Sequence, residues 1–150
     1  MTDTSVFDND VRVALYRFFV REERAPVAAE VASELEASPF DVEASFERLA
    51  DVHVLVLTPG TKYVSMANPL SALPTPFRAK VDGKRYWANC IWDGLGTVAM
   101  LGGTGRVTAR CADCAEGLEL DVVDRVVTST DFVVHYAVPA ARWWDDIGFT

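Results

Sequence analysis

Basic side chains, cysteine and histidine are all scarce in this chain, and each scarcity removes a class of function. Lysine and arginine number 14 against 22 aspartates and glutamates, a formal net charge of −8. That balance favours solubility and works against binding DNA, RNA or anionic membranes. The 3 cysteines are an odd number, which excludes a complete disulfide framework; they read as reduced thiols in the cytoplasm. The histidines, His53 and His135, form neither a His-Glu-x-x-His metal site nor a Ser-His-Asp triad. No apolar run approaches the length that spans a bilayer. Met1-Thr2-Asp3-Thr4-Ser5 is polar and acidic where a signal peptide would be basic and then apolar, so a cytoplasmic location is expected. Gly94, Gly96, Gly102, Gly103 and Gly105 match no phosphate-binding pattern and read as tight turns.

What is present is enough apolar material for a core. Half of the 150 residues are hydrophobic, which suits one domain or two small ones sharing an interior. Residues 9 to 22 carry Val11, Leu15, Phe18 and Phe19 at helical spacing. Pro26 opens a second helix, with Val27, Val31 and Leu35 on one stripe. Ser38-Pro39 opens a third, with Ser38 as cap, Pro39 at the first helical position and Asp41 at the capping-box position. Val42, Phe46 and Leu49 form its buried face. Val52 to Leu57 and Lys62 to Met66 then read as a strand pair around Thr58-Pro59-Gly60-Thr61. Three helices followed by a hairpin is the winged-helix pattern. Its third helix would enter a DNA groove, yet it carries Asp41, Glu43, Glu47 and Asp51 against Arg48 alone. Phosphate contacts need cations, so a scaffold role is expected instead.

Asn68 to Pro76 reads as a linker of proline and small residues. Asp82-Gly83 is a two-residue hairpin signal between Phe77–Val81 and Lys84–Trp87. Arg106–Arg110 and Leu118–Val122 read as a further pair, with Cys111-Ala112-Asp113-Cys114 in the turn between them. A structural zinc needs four ligands, and beyond this Cys-x-x-Cys only His135, within an expected strand Phe132 to Val138, is a plausible third. The alternatives are a plain loop with two thiols or a pair that holds a soft metal. His53 and His135 read as satisfied rings. Trp143 and Trp144 follow Pro139 in a short helical turn and read as the roof of the second domain.

The densest chemistry lies in Arg85-Tyr86-Trp87-Ala88-Asn89-Cys90-Ile91-Trp92-Asp93. If a helix begins near Ala88, Cys90 and Asp93 share a face at i and i+3. Cys90 would then sit in the first turn, where the helix dipole favours thiolate. Asp93, beside that charge in a partly dry site, would have a raised pKa. The pair would combine a soft metal ligand with a proton donor. On the residues alone the commoner reading is a small buried hydrophobe next to a surface carboxylate.

The segment from Met66 to Met100, including Asn68-Pro69-Leu70-Ser71-Ala72-Leu73-Pro74-Thr75-Pro76-Phe77-Arg78 and Tyr86 to Asp93, resembles the alkylmercury lyase (organomercurial lyase) family, as does Val138-Pro139-Ala140-Ala141-Arg142-Trp143-Trp144-Asp145-Asp146-Ile147. The resemblance implies an α+β protein. A winged-helix-like N-terminal domain, residues 1–70, would precede a mixed α/β catalytic domain with an antiparallel sheet, residues 71–150. It implies cleavage of carbon–mercury bonds by two cysteines and an aspartate, a detoxifying reaction, with Cys90 and Asp93 matching the first cysteine and the aspartate. The second cysteine is expected on a later strand, after a stretch resembling Trp144 to Thr150. Either the sequence is cut short at its C-terminus, or the thiol is lacking, or Cys111 or Cys114 replaces it. The expected activity is protonolysis of an organomercurial to a hydrocarbon and Hg(II), with Cys90 binding the mercury of the substrate, Asp93 giving the proton, and Ile91 and Trp92 walling the organic group. No cofactor, nucleic acid or membrane partner is expected. Two other classes remain: a non-catalytic module that binds soft metals through its thiols, Cys111 and Cys114 included, and a metal-responsive winged-helix regulator.

Overall fold

The structure, a computed structural model, describes residues 3–128 and 131–148. The Met1-Thr2 start of the expected polar N-terminus and the final Phe149-Thr150 lie outside them. The chain is α+β. Helices α1 (Asp3–Glu22), α2 (Ala28–Leu35) and α3 (Pro39–Asp51) come first. They are followed by strands β1 (Val56–Leu57), β2 (Val64–Ala67), β3 (Leu70–Ser71), β4 (Phe77–Val81) and β5 (Lys84–Ala88). Helix α4 (Ile91–Met100), strands β6 (Gly105–Arg110), β7 (Gly117–Val123) and β8 (Val126–Val127), and a 3-10 turn (Ala140–Asp145) complete the order. The strands form one antiparallel sheet in the order β1-β2-β3-β5-β4-β6-β7-β8.

Several local expectations shift for identifiable reasons. Helix α1 starts six residues early, at Asp3 rather than 9. Its first turns are tied to α3 by Asp8, which accepts hydrogen bonds from Ser45 (2.6 Å) and from Arg48 (2.6 Å). A partner 40 positions away leaves no local periodic signal. Helix α2 starts at Ala28, and Val27 is its 41% exposed cap position rather than part of the buried stripe. The Val27 amide donates to Glu30, which is itself held by Arg24. Ser38 caps α3 as expected, accepting from the Phe40 amide at 3.2 Å. The strand expected from Val52 is only Val56–Leu57. His53 takes a left-handed φ of +62°, and the Val54 amide reaches back to the Leu49 carbonyl at 2.8 Å. This Schellman-type ending overrides the β-propensity of the valines.

The linker reading of Asn68–Pro76 also needs correcting, because it contains β3. Leu70 is fully buried, and β3 pairs with both β2 and β5. One sheet therefore runs without a break past residue 70. Asp82 and Gly83, both at positive φ, make the expected tight turn between β4 and β5. Phe132 to Val138 is not a strand. The edge of β7 is taken by β8 through a turn at Asp124 and Arg125, both at positive φ, which the Arg125 amide anchors on the Gly103 carbonyl at 2.7 Å.

All four helices cover one sheet face. Val11, Leu15 and Phe19 of α1, Val31 of α2, and Val42, Phe46 and Leu49 of α3 bury against Ala67, Leu70 and Tyr86. Helix α4 buries Val98 against Ala79, Val81, Val107, Leu120 and Val122. Ala79 lies directly opposite Tyr86, so both clusters use the same face, and Leu101 packs on both. Helix α4 lies very close to the sheet. A Cβ added to Gly94 would meet Val107 Cγ1 at 2.7 Å.

Two outcomes follow from this packing. Gly94→Ala should destabilise the protein by ~1–3 kcal/mol, read as a lower urea midpoint, because overpacking must push α4 or Val107 aside. The Arg48 hydrogen bond holds the Asp8 carboxyl below its usual pKa, with burial opposing and Ser45 assisting. A depressed carboxyl contributes stability above its unfolded pKa and loses it as pH falls through the folded one. Urea midpoints measured across the acid range should therefore fall less steeply with acid in Asp8→Asn than in wild type.

Candidate active site

Strand β5 ends at Ala88, and α4 begins at Ile91, so the site is a strand-to-helix corner. Cys90 is the extended N-cap residue (φ −146°, ψ −177°), with no side-chain capping hydrogen bond, rather than a first-turn residue. Its carbonyl takes the first helical bond, from the Gly94 amide at 3.0 Å. From this corner the Cys90 thiol donates to Asp93 Oδ2 at 3.7 Å. Both side chains are half-buried.

The expected thiolate is not the resting state. Burial pushes the Cys90 thiol above its usual pKa, and the Asp93 charge adds to that. The amides of Asp93 and Trp92, with the Tyr136 hydroxyl, pull the other way without prevailing. Desolvation outweighs the pull of the helix start toward thiolate. Asp93 is raised as expected, chiefly by burial, against hydrogen bonds from Asn89 and Cys90.

A chain of polar side chains backs the pair. Asn89 donates to Asn68 Oδ1 at 2.9 Å, and the Asn68 carbonyl accepts from the Tyr16 hydroxyl at 2.8 Å. Tyr16 is half-buried on α1, its pKa raised by burial, with Asp93 adding to the shift against Arg12. The N-terminal helices thus reach the site itself. The other addition is Tyr136. Its buried hydroxyl lies beside Cys90, and its pKa is pushed up to about 12 by burial, by Cys90 and by Asp93. Reading Phe132–Val138 as a strand gave no reason to aim Tyr136 at Cys90. The signal lay in the aromatic residues that follow: Trp143 packs on Tyr136 (5.1 Å between centroids) and donates to the Val138 carbonyl at 2.8 Å.

The remaining candidates are dispersed. Trp92 is 67% exposed, and Ile91 is partly buried against the α4 core cluster. No residue of the 3-10 turn is buried, which corrects the reading of Trp143 and Trp144 as core. Trp144 instead stacks flat on His53 at 3.9 Å, making His53 a platform. Cys111 and Cys114 lie in the β6–β7 turn. The Cys111 thiol is lowered by the Cys114 and Asp113 amides and by the Cys114 side chain. Neither is among the groups that act on the Cys90 sulfur. Among the described residues no three His, Cys, Asp or Glu side chains are grouped to hold a metal, so His135 does not complete a site with them. Also among the described residues, no helix is long and apolar enough to cross a membrane.

The family model for alkylmercury lyase matches residues 70–150, just over half the chain and all of this corner. The chain belongs to the alkylmercury lyase family. An alkylmercury lyase from Pseudomonas putida is 34% identical over 82 residues, which is 52% of this chain and 39% of the relative. The chain thus matches well under half the length of that lyase. The crystal structure of the mercury-bound form of MerB2 aligns with a TM-score of 0.63 at 20% identity, covering 81% of this chain and 60% of that one. At that identity the likeness is one of fold. Within this family member the Tyr136 hydroxyl is the least expected neighbour of Cys90. Tyr136→Phe should raise the Cys90 pKa, because the phenol lowers it in the intact site. The pH profile of Cys90 alkylation by iodoacetamide, followed by mass spectrometry, should shift to higher pH, and an unshifted profile would remove Tyr136 from the site.

Proposed function

We propose that this protein cleaves the carbon–mercury bond of organomercurials by protonolysis. The observation that carries this reading is the Cys90–Asp93 contact at a half-buried corner. Thiolate sulfur is the soft donor that mercury prefers. As the substrate's mercury approaches, the Cys90 S–H proton passes to Asp93, the S–Hg bond forms, and the substrate's counter-ligand leaves. Sulfur coordination pushes electron density toward carbon. Asp93 then returns the proton to that carbon, the C–Hg bond breaks with its electron pair going to the new C–H bond, and Hg(II) stays on Cys90. No organic cofactor enters this scheme. The raised pKa of Asp93 suits a group that must carry a proton. Trp92, exposed beside the corner, is placed in this reading against the organic group.

The division we favour is a winged-helix-like module to about residue 70, followed by the catalytic domain. The module serves as scaffold in this reading. Arg48 of α3 is engaged by Asp8 and Lys62 by Glu47, which leaves α3 dominated by acidic side chains. That weighs against a metal-responsive DNA-binding regulator. A thiol module that binds soft metal without turnover is the surviving rival, and Asp93 separates the two.

The test is hydrocarbon release from an arylmercurial, with excess exogenous thiol to carry off Hg(II), alongside Hg(II) affinity. Wild type should release hydrocarbon and Cys90→Ser should not. Asp93→Asn should be slower by ~10²–10⁴-fold, the usual range for general acid catalysis, while Hg(II) binding persists. Equal rates for Asp93→Asn and wild type would remove Asp93 as the proton donor. Binding through Cys90 without any release by wild type would leave the thiol module.

A further inference from the structure

The β6–β7 turn holds two thiols that the scheme above does not use. Cys111 follows Arg110, the last residue of β6, and Cys114 sits three residues on, before β7 begins at Gly117. The turn is closed on itself. The Cys111 amide donates to the Glu116 carbonyl at 2.9 Å, and the Ala115 amide donates to the Cys111 carbonyl at 3.0 Å. Ala115 takes a left-handed φ of +59°, and Arg110 clasps its carbonyl at 3.3 Å. The strands on either side are paired up to Arg110 and Gly117, so both cysteines stand on a fixed frame. Cys114 is exposed and Cys111 half-exposed, so a cation can arrive without opening the core.

We propose that Cys111 and Cys114 form a second, chelating site for soft cations that accept two thiolate ligands, the class of Hg(II), Ag(I) and Cu(I). The donor set decides the class. A structural zinc wants four ligands, and no third His, Cys, Asp or Glu joins the pair among the described residues. Cations of the soft class are satisfied by two sulfurs. The neighbouring carboxylates Asp113 and Glu116 and the net charge of −8 favour approach of a cation. Binding expels the two thiol protons, after which the metal–dithiolate unit of Hg(II) is neutral. The site is separate from the Cys90 corner and stands whether or not that corner turns over.

Two linked sulfurs should outlast one against a competing monothiol, because the second bond forms within the molecule; such linkage is typically worth ~10²–10⁴-fold. The probe is Hg(II) itself, on the full chain, with Cys90→Ser as the background so that the first site is silent. After dialysis against excess N-acetylcysteine, Cys90→Ser should keep one equivalent of Hg(II). Adding Cys114→Ser or Cys111→Ser should lower affinity by at least ~10²-fold, with far-UV circular dichroism confirming an intact fold. Failure of Cys90→Ser to retain Hg(II) overturns the proposal, and so does retention that survives loss of either sulfur. Hydrocarbon release is measured separately on wild type, so failure of the lyase reading leaves this result unchanged.

Discussion

The Cys90–Asp93 corner depends on how closely α4 lies against the sheet. Gly94 permits the approach, since any side chain there would strike Val107. The closeness keeps Cys90 and Asp93 half-buried instead of at an open helix end. Burial in turn sets their chemistry. It raises both pKa values, which keeps the proton on the Cys90 sulfur at rest and makes the Asp93 carboxylate a firmer proton acceptor. A helix N-terminus in water would have produced a thiolate. The same N-terminus pressed against a sheet keeps the proton close at hand.

The N-terminal helices are part of that constraint. Tyr86 of β5 is buried and donates to the Val20 carbonyl of α1 at 3.0 Å. Lys84, at the start of the same strand, donates to the Val20 and Arg21 carbonyls. The strand that delivers the chain to Cys90 is thus clamped on the C-terminal end of α1. Tyr16, a turn earlier on α1, completes the Asn68–Asn89 link beneath Asp93. The N-terminal helices have a structural reason to exist if they hold one strand and one loop at a fixed distance from the site. Continuity of the sheet through β3 makes the two halves mechanically one.

Much of this was legible in the sequence. Apolar spacing located α1 and α3, Ser38-Pro39 marked a helix start, and Asp82-Gly83 marked a hairpin. Each is a local device whose physics needs few neighbours. The Cys-x-x-Asp spacing brought two functional groups together, because i and i+3 adjacency is built into a helix turn. What was not legible depended on distant partners. The early start of α1 depends on Ser45 and Arg48. The loss of the strand at Val52 depends on a left-handed His53, which Trp144 then covers. The course of residues 131–138, which brings Tyr136 beside Cys90, has no periodic signal of its own. The sign of the Cys90 shift was missed for the same reason: a dipole can be read from a helix start, but the depth of burial cannot.

A neutral resting thiol is compatible with mercury capture and bears on its order. Metal binding to sulfur expels the proton, so a high thiol pKa costs affinity in proportion to the proton displaced. In open solvent that proton would be lost to water. Here the S–H already points at Asp93, whose own pKa is raised, so the displaced proton has a nearby acceptor that binds it more firmly than an exposed carboxylate would. The carboxyl must be ionised to receive it, and burial resists that ionisation. The hydrogen bonds from Asn89 and Cys90 oppose burial and keep the carboxylate accessible. Binding of a soft cation by sulfur would then load the acid needed for the following step. The thiol need not be charged before substrate arrives, because the Asp93 carboxylate takes its proton as the sulfur–mercury bond forms.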